Sequence, residues 1–400
     1  MDTSQYKRPT AQATDFNLHG FVGIRLLNAS QSDVAAVRRQ LGPIQAPLGR
    51  EPDILIRFVD RLPSSPRMRC LGLDAWFDDD AFFVLGSGSR TNARVKIPFE
   101  QIGQRCEIVC ESGLRAIPLL IAIINLTMLN KGVVPLHASA FVFEGVGVLV
   151  TGWAKGGKTE TLLAFAERGA TYVGDEWVYI GQDGKRLYGI PQPITMWDWH
   201  LRWLPKYRAL VSRRDLLRMR SVQFAGKMGQ LFLRWSDGKA GHHSVLRKAL
   251  PVLKRQLNVN MPPQSLFGGD LVELSCRFDR LFFVLSHELP STVVEPVETR
   301  EVVRRMVFSL EYERLALLSY YLKFRFAFPD RPNQLIESAE DRQRQLLESA
   351  FTGKQTYTVI HPYPVPIPAL FEAIRPYLGR QGGLSEAGEY VERTIPAALR

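Results

Sequence analysis

The first part of the chain alternates short runs of β-prone residues with clusters of Pro, Gly and Asp. Over residues 20–110 these runs read FVGIRLLN, DILIRFVD, DAFFVLGS and ARVKIPFE. Apolar runs of this length, bounded by turn-forming residues, are typical of strands. We therefore predict a sheet-rich N-terminal domain over residues 1–112.

The pattern changes after residue 112, where the apolar stretch AIPLLIAIINLTML occupies residues 116–129. It is shorter than the ~20 residues that a membrane-spanning helix needs, so we predict a buried core helix. Two β-prone runs follow in HASAFVFEGVGVLVTG, then a glycine-rich loop, the helical segment KTETLLAFAERG and the strand ATYVGDEWVYI. Strand, glycine loop, helix and strand in this order predict a nucleotide-binding α/β core.

The remainder of the chain predicts further elements of the same core. RLFFVLS indicates a strand, REVVRRMVFSLEYERLALLSYYLKF a long helix, and residues 333–351 a second helix. TYTVIHPYP and PALFEAIRPYL then indicate a last strand and helix, and residues 379–400 read as a polar tail. We predict one α/β domain over residues 113–378, interrupted by a basic, partly helical insertion at about 202–256.

The composition fits this organisation. The 400 residues are 46% hydrophobic and 23% charged, as in ordinary soluble globular proteins, and the length allows two domains. The four cysteines lack the paired short spacings of a zinc site and are too few for a disulfide scaffold, and the N-terminus has no apolar run of the kind found in secretory signals. We expect a cytoplasmic protein, with peripheral attachment to a membrane left open.

The positive charge is concentrated in one segment. The formal net charge is +11, and residues 202–255 contain fourteen Lys and Arg against two acids. The run HLRWLPKYRALVSRRDLLRMRSVQF interleaves Leu, Trp and Met with Arg, which suits an acidic protein or an anionic membrane surface. A helical elaboration with a solvated basic face is the alternative, and nucleic acid is disfavoured because no recognised nucleic-acid-binding module occurs in the chain.

Residues 152–159 have the spacing GxxxxGK[ST] of a phosphate-binding loop. In such a loop successive backbone N–H groups surround phosphate oxygens, the lysine neutralises the β- and γ-phosphates, and the hydroxyl holds Mg²⁺. A turn that only packs a helix on a strand is the alternative, as is an exposed Lys155 without a role. We predict that a nucleotide contacts Gly152, Lys155, Gly156, Gly157, Lys158, Thr159 and Glu160.

These segments resemble the HPr kinase/phosphorylase family, which shares its core fold with phosphoenolpyruvate carboxykinase. The resemblance rests on HASAFVFEGVGVLVTG with His137, on the adjacent acids of ERGATYVGDEWVYI, and on the Gly-x-Pro-x-Pro segment LYGIPQPITMWDWHLRW with Arg202. It covers residues 136–202 and extends more weakly to about 378. It implies an α/β fold with a P-loop core of the HPr kinase/phosphoenolpyruvate carboxykinase type, with ATP and Mg²⁺ as its ligands.

The resemblance also implies roles for individual residues. Asp175 would orient and deprotonate the acceptor hydroxyl, and Glu176 and Thr159 would join Asp175 in supporting Mg²⁺. Arg202 would supply positive charge to the transferred phosphoryl group, and His137 would lie near the phosphates. Ordinary turn residues at a strand end remain the alternative for the acid pair, and a core histidine remains the alternative for His137.

The departures from the family concern the acceptor. Glu176 stands where the family usually has Asp, and His200 replaces a glutamate two residues before the arginine, with Asp198 close enough to substitute for it. The glycine-rich segment that normally follows the arginine is replaced by LPKYRALVSRRDLL. We therefore expect an acceptor other than HPr.

Two functions from different classes agree with these residues. The first is a kinase that moves the γ-phosphate of ATP to a hydroxyl of a protein, a peptide or a small metabolite. The second is a nucleotide-gated interaction protein, in which ATP binding arranges the basic segment for an acidic partner or a membrane with little or no phosphoryl transfer. Assembly into a homo-oligomer is compatible with both.

We predict that Lys158→Ala removes nucleotide-dependent activity and weakens ATP binding, because the β- and γ-phosphates lose their main side-chain charge. Isothermal titration with ATP and an assay of turnover measure the two effects. Binding and turnover equal to those of the unaltered chain would contradict the phosphate-loop interpretation.

Overall fold

The computed structural model of the chain describes residues 13–86, 93–235, 250–251, 253, 255–268 and 273–379. These residues form a mixed α/β fold with two large sheets, each of which combines parallel and antiparallel strands, and a separate two-stranded sheet. Residues 380–400 of the predicted polar tail, and residues 236–249 within the predicted basic insertion, lie outside the described part of the chain.

The first sheet is built from the N-terminal part of the chain. Its strands are β1 (Thr14–Leu18), β2 (Val22–Leu27), β3 (Ile54–Val59), β4 (Arg69–Leu71), β5 (Ala75–Phe77), β6 (Phe82–Leu85), β7 (Arg94–Lys96) and β8 (Cys106–Glu111). They are ordered β1-β2-β3-β8-β7-β6-β5-β4, with β3 parallel to both β2 and β8. The four runs in the sequence correspond to β2, β3, β6 and β7, so the predicted sheet is confirmed but its other strands were missed.

Two helices accompany this sheet. Helix α1 (Gln31–Leu41) supplies the crossover that the parallel pair β2 and β3 requires, and Ser30 and Asp33 form a capping box at its start. The predicted core helix is α2 (Leu120–Asn130), which begins four residues later than the apolar run. It is apolar on nearly all sides and packs into the same core as the sheet. No helix within the described residues combines the length and apolar character needed to cross a membrane.

The remaining strands are β9 (Val134–Phe143), β10 (Val146–Gly152), β11 (Thr171–Gly174), β12 (Trp177–Ile180), β13 (Arg186–Gly189), β14 (Ile194–Trp197), β15 (Asn258–Met261), β16 (Ser275–Arg277), β17 (Arg280–His287), β18 (Val293–Pro296) and β19 (Gln355–Pro362). The second sheet has the order β16-β13-β12-β9-β10-β17-β19-β18, with β11 also paired to β9, while β14 pairs with β15 and with no other strand of the described residues. Strand β10 is antiparallel to β9 and parallel to β17, which is parallel to β19. The ends of β10, β17 and β19 therefore share one edge with the beginning of β9.

The remaining helices are α3 (Lys158–Ala166), α4 (Asp198–Trp203), α5 (Pro205–Arg208), α6 (Arg213–Trp235), α7 (Pro263–Phe267), α8 (Thr299–Ala327), α9 (Gln334–Glu337), α10 (Ala339–Phe351) and α11 (Ile367–Ile374). Helix α6 confirms that the basic segment is partly helical. The predicted helix over 333–351 is instead two helices, because the chain leaves helical geometry at Ser338.

Helix α8 joins the two large sheets. Its first half contributes Val302, Met306 and Leu310 to the core of the second sheet. Its second half contributes Leu317 and Phe324 to the core of the first sheet. One rigid element thus touches both halves of the molecule.

We predict that Gly147→Ala lowers the free energy of unfolding by ~2 kcal/mol or more, because the added Cβ would overlap the backbone carbonyl oxygen of Arg277 inside the second sheet. Gly226→Ala in α6 is the matched control, since nothing lies within 4 Å of a Cβ there and alanine favours a helix. Thermal and denaturant midpoints compare the two variants. Equal midpoints would contradict the close packing around β10.

Candidate functional site

The loop between β10 and α3 is shaped by three close approaches of neighbouring groups. A Cβ at Gly152 would lie 2.5 Å from the carbonyl oxygen of Val284 on β17, and one at Gly157 would overlap the imidazole of His361 at the end of β19. Gly157 also has a φ of 107°, which L side chains rarely adopt. His361 fixes the loop from below, with Nε2 2.8 Å from the carbonyl oxygen of Gly156. The loop is therefore a bare backbone surface that a phosphate could approach.

Lys158 lies inside this loop rather than in solvent. Its side chain is buried, and Nζ donates to the carbonyl oxygens of Gly152 at 3.2 Å and Trp153 at 2.8 Å. Burial lowers the pKa of Lys158, while the nearby carboxylates of Glu176 and Asp175 act in the opposite direction. For Nζ of Lys158, a phosphate oxygen would be a stronger acceptor than these carbonyl oxygens, because the hydrogen bond would join two charged groups.

Asp175 lies behind Thr159, the second residue of α3. The Thr159 hydroxyl donates to the carboxylate of Asp175, with oxygen–oxygen distances of 3.1 and 3.2 Å. Burial, followed by the negative charge of Glu176, raises the pKa of Asp175 to about 7, and the hydrogen bond from Thr159 opposes this rise. A carboxyl group with such a pKa can take up a proton near neutral pH, as a general base must.

His137 is held between two carboxylates. It is the last residue of the part of β9 that pairs with β12, and its Nε2 lies 3.2 Å from Glu176 while its Nδ1 lies 2.6 Å from Glu313 of α8. Burial alone would lower the pKa of His137, but the hydrogen bonds to Glu176 and Glu313 outweigh it and raise the pKa. The hydrogen bond from His137 in turn lowers the pKa of Glu176. The two carboxylates thus favour the protonated form of His137 beside the loop.

Glu176 occupies a strained backbone position. Its φ is 67°, in the left-handed region that non-glycine residues seldom enter. Its backbone carbonyl accepts a hydrogen bond from Ala138, and the next residue, Trp177, pairs with His137 in the sheet. The turn between β11 and β12 is therefore fixed against β9, and the strain is held at the same place as the charged groups.

A second buried pair connects the loop helix to α4. His200 Nε2 lies 3.0 Å from the carboxylate of Glu160, and the backbone N–H of Trp197 donates to His200 Nδ1, which leaves Nε2 as the donor. Burial would raise the pKa of Glu160, but the hydrogen bond from His200 lowers it. Asp198 instead accepts from the guanidinium of Arg202 at 2.8 and 3.1 Å. The two residues that could have replaced the family glutamate therefore have separate partners.

These groups border one cleft of about 600 Å³. It is lined by most of the residues predicted from the sequence, namely His137, Lys155, Gly156, Gly157, Lys158, Thr159, Glu160, Glu176 and Arg202. Gly152 and Asp175 are set back from the lining, Asp175 behind Thr159. The rest of the wall is largely aromatic and apolar, with Trp197, Trp199, Leu257 and Tyr363.

The donor set near Thr159 bears on the predicted magnesium. Among the described residues, no three His, Cys, Asp or Glu side chains form a preformed metal site. Mg²⁺ beside a nucleotide is usually held by one or two carboxylates together with phosphate oxygens and waters. The Thr159 hydroxyl and the adjacent Asp175 carboxylate match that donor set, so these residues fit a magnesium ion that arrives with a nucleotide.

Two titratable residues of the site were missed from the sequence, Glu313 and His361, as were the wall residues Trp197, Trp199, Leu257 and Tyr363. Glu313 lies in the middle of a charged helical pattern, 176 positions from His137, and nothing in its neighbourhood along the chain marks it. His361 ends the apolar strand pattern TYTVIHPYP, and a histidine at the end of a predicted core strand is a signal that could have drawn notice. Both are brought to the loop only by the packing of α8 and β19.

We predict that Glu313→Gln lowers the pKa of His137, because the imidazolium loses one of its two charged acceptors. Glu311→Gln is the matched control, since it removes the same charge one half-turn earlier on α8. NMR titration of the ring signals, assigned with a His137 variant among the seven histidines, measures the pKa. The same titration curve in both variants would contradict the two-carboxylate clamp.

The cleft thus joins a bare backbone loop, a buried ammonium group, a carboxyl group that titrates near neutral pH and an imidazole between two carboxylates. No protein-family model and no curated protein matches the chain.

Proposed function

We propose that this chain is an ATP- and Mg²⁺-dependent kinase of the HPr kinase-like class, which transfers the γ-phosphoryl group to a hydroxyl of a protein, a peptide or a small metabolite other than HPr. One observation carries the proposal. Two features meet at one edge of the sheet. The glycine loop holds the buried Lys158, and the buried Asp175, with a pKa of about 7, accepts a hydrogen bond from the next residue, Thr159. Phosphoryl transfer requires this combination of a phosphate cradle and a nearby proton acceptor.

The chain's own residues would divide the work as follows. The loop N–H groups and Lys158 hold the β- and γ-phosphates, and Arg202 and the imidazolium of His137 offset negative charge on the transferred group. Asp175 accepts the proton of the acceptor hydroxyl as the new oxygen–phosphorus bond forms and the bond to the ADP oxygen breaks. When bound, Mg²⁺ supplies charge neutralisation between the phosphates, and Thr159 with Asp175, joined by Glu176, would hold it.

We propose that the second sheet and its glycine loop form the core of this kinase. The mixed sheet with β10, the loop and α3 at its centre supports a P-loop core of the HPr kinase/phosphoenolpyruvate carboxykinase type. The first sheet, β1–β8, supports the predicted sheet-rich N-terminal domain, and α2 and the second half of α8 share its core. A cytoplasmic location is part of the same proposal.

A nucleotide-gated interaction protein is the second candidate, and helix α6 favours it. Its exposed side carries the large apolar residues Leu217, Phe224, Met228 and Leu231, beside several exposed basic residues. This face resembles helices that bind anionic membrane surfaces or acidic protein grooves. Arg218 differs from its basic neighbours, because its guanidinium donates to the carbonyl oxygens of Gln256 and Asn258 and so anchors the helix.

We predict that γ-labelled ATP transfers its label to an acceptor in a lysate, and that Asp175→Asn slows this transfer at least about 10²-fold with ATP binding largely retained, because the proton acceptor is lost. Asp183→Asn, in a turn after β12, is the control and should transfer label normally. Release of free phosphate alone, or ATP binding without any labelled acceptor, would favour the interaction protein. Normal transfer by Asp175→Asn would contradict its role as the base.

We predict that reversing Arg213, Arg214 and Arg220 to Glu abolishes binding to anionic vesicles or acidic proteins, because the exposed positive charges are replaced by negative ones. Binding by the unaltered chain should weaken with salt, because exposed charges are screened beyond ~8 Å at physiological ionic strength. ATP affinity should stay the same, since these residues lie outside the cleft. Arg218 is kept unchanged to preserve the anchor of α6. Co-sedimentation with vesicles at low and high salt, with ATP titration alongside, measures both. Unaltered binding would leave the segment a solvated elaboration.

A further inference from the structure

The residues that line the cleft are of two chemical kinds. One group is the glycine loop with its charged side chains, and the other is a set of aromatic rings that no step of phosphoryl transfer uses, Trp199 and Tyr363 among them, which we call the aromatic end. Trp199 stands at the start of α4, and Tyr363 follows the last residue of β19. Their ring centroids are 6.0 Å apart and their planes are inclined by 80°. Two elements that are far apart in the sequence thus place aromatic surface on the wall of one cavity.

Trp199 is connected to the helix of the glycine loop through His200. His200 packs edge-on against Trp199 with ring centroids 4.1 Å apart, and the same imidazole is bonded to Glu160, the residue that follows Thr159 in α3. Trp199 is therefore held at a fixed place relative to the phosphate loop. A cavity of about 600 Å³ is within the size range of small-molecule sites, which combine apolar walls with a few polar groups.

We propose that the aromatic end of the cleft is the subsite for the base of the nucleotide, with Trp199 and Tyr363 as its stacking surfaces. This inference rests on the proposed function, since it assumes a nucleotide whose phosphates occupy the loop. Every nucleobase has a flat π face, and stacking on an aromatic side chain is favourable without specific hydrogen bonds. Trp199 and Tyr363 supply such surface in the same cleft as the glycine loop.

The test compares ATP with inorganic triphosphate, which has the phosphates but no base. In isothermal titration Trp199→Ala should weaken ATP binding about ten-fold or more and leave triphosphate binding unchanged. Trp199→Phe keeps an aromatic ring and should retain most of the ATP affinity. Trp203→Ala is the matched control, because this tryptophan lies on the same helix but is not part of the cleft wall.

Different results of these titrations would overturn the base subsite and the proposed kinase function. ATP affinity unchanged in both Trp199→Ala and Tyr363→Ala overturns the base subsite, as does an equal loss for ATP and triphosphate. An unaltered chain that binds neither ligand overturns the proposed function, and the subsite with it. Circular dichroism of each variant reports folding, and Tyr363→Ala gives an independent readout if Trp199→Ala fails to fold.

A different observation concerns the outer face of α8. Five large apolar side chains, Phe308, Tyr312, Leu315, Leu322 and Phe326, are 51–72% exposed on this helix. Their spacings of four, three, seven and four residues follow the heptad pattern by which helices pair. We call these five residues the α8 stripe. No charged residue interrupts its positions, and Ser319 takes the remaining heptad place.

The exposed area of the α8 stripe approaches what a dimer needs. Each large apolar side chain can bury ~150–250 Å², so five that are more than half exposed offer on the order of 500 Å². Monomers seldom expose more contiguous apolar surface than this, and a standard interface takes ~800 Å² from each partner. Trp153, 47% exposed and 5.0 Å from the Tyr312 ring, extends the surface to the phosphate loop.

We infer that a second copy of this chain covers the α8 stripe in a two-fold symmetric helix pair. An isologous pair sets the same stripe on both sides, so heptad spacing on one helix is met by the same spacing on the other. The uncharged stripe offers nothing to select an oppositely charged partner. Because Tyr312 touches Trp153 and Glu313 holds His137, the interface would adjoin the site of each copy.

Light scattering and sedimentation of the full chain test this pairing. The unaltered chain should be a dimer at micromolar concentration, and Leu315→Glu combined with Phe326→Glu should be a monomer with an unchanged circular dichroism spectrum. Phe224→Glu on α6 is the matched control, since this phenylalanine is 68% exposed and should leave the dimer intact. A monomeric unaltered chain, a dimer that survives the double substitution, or a dimer broken by Phe224→Glu would each overturn the inference.

Discussion

The site depends on mutual compensation among buried charges. A charged group taken out of water is costly unless an opposite charge or hydrogen bonds replace its hydration. Here Lys158 and Asp175 are buried, His137 and Glu313 are partly buried, and Glu176 is about half exposed. All five lie together at one sheet edge, and each has an opposite charge or a donor nearby. The five groups stabilise one another, because the removal of one would leave a neighbour without its counter-charge or its hydrogen-bond donor.

The sheet explains why these groups meet. Antiparallel pairing of β9 with β10 brings the start of one strand beside the end of the other, so His137 lies near the glycine loop. The parallel neighbours β17 and β19 bring Val284 and His361 to the same edge, which agrees with the general placement of ligand sites at the carboxyl ends of parallel strands. Helix α8 then closes the cluster from the side with Glu313.

Local spacing made part of this arrangement predictable. The glycine loop and the acid pair are short segments that their spacing and residue types mark in the sequence, and most of the predicted residues do line one cleft. Glu313 could not be found in this way, because its role comes from tertiary packing across 176 positions. Arg218 looked like a solvated cation among its neighbours, and only its contacts with the carbonyl oxygens of Gln256 and Asn258 distinguish it.

The contact beneath the loop has a consequence for the order in which the chain can mature. His361 bonds to the carbonyl oxygen of Gly156 from 205 positions away, and its ring fills the space that a Cβ at Gly157 would need. A ribosome that has made residues 152–159 has therefore not yet made the floor on which they rest. The loop acquires its final support only when β19 has been synthesised and has joined β17, so a nascent chain would pass most of its synthesis without a finished glycine loop.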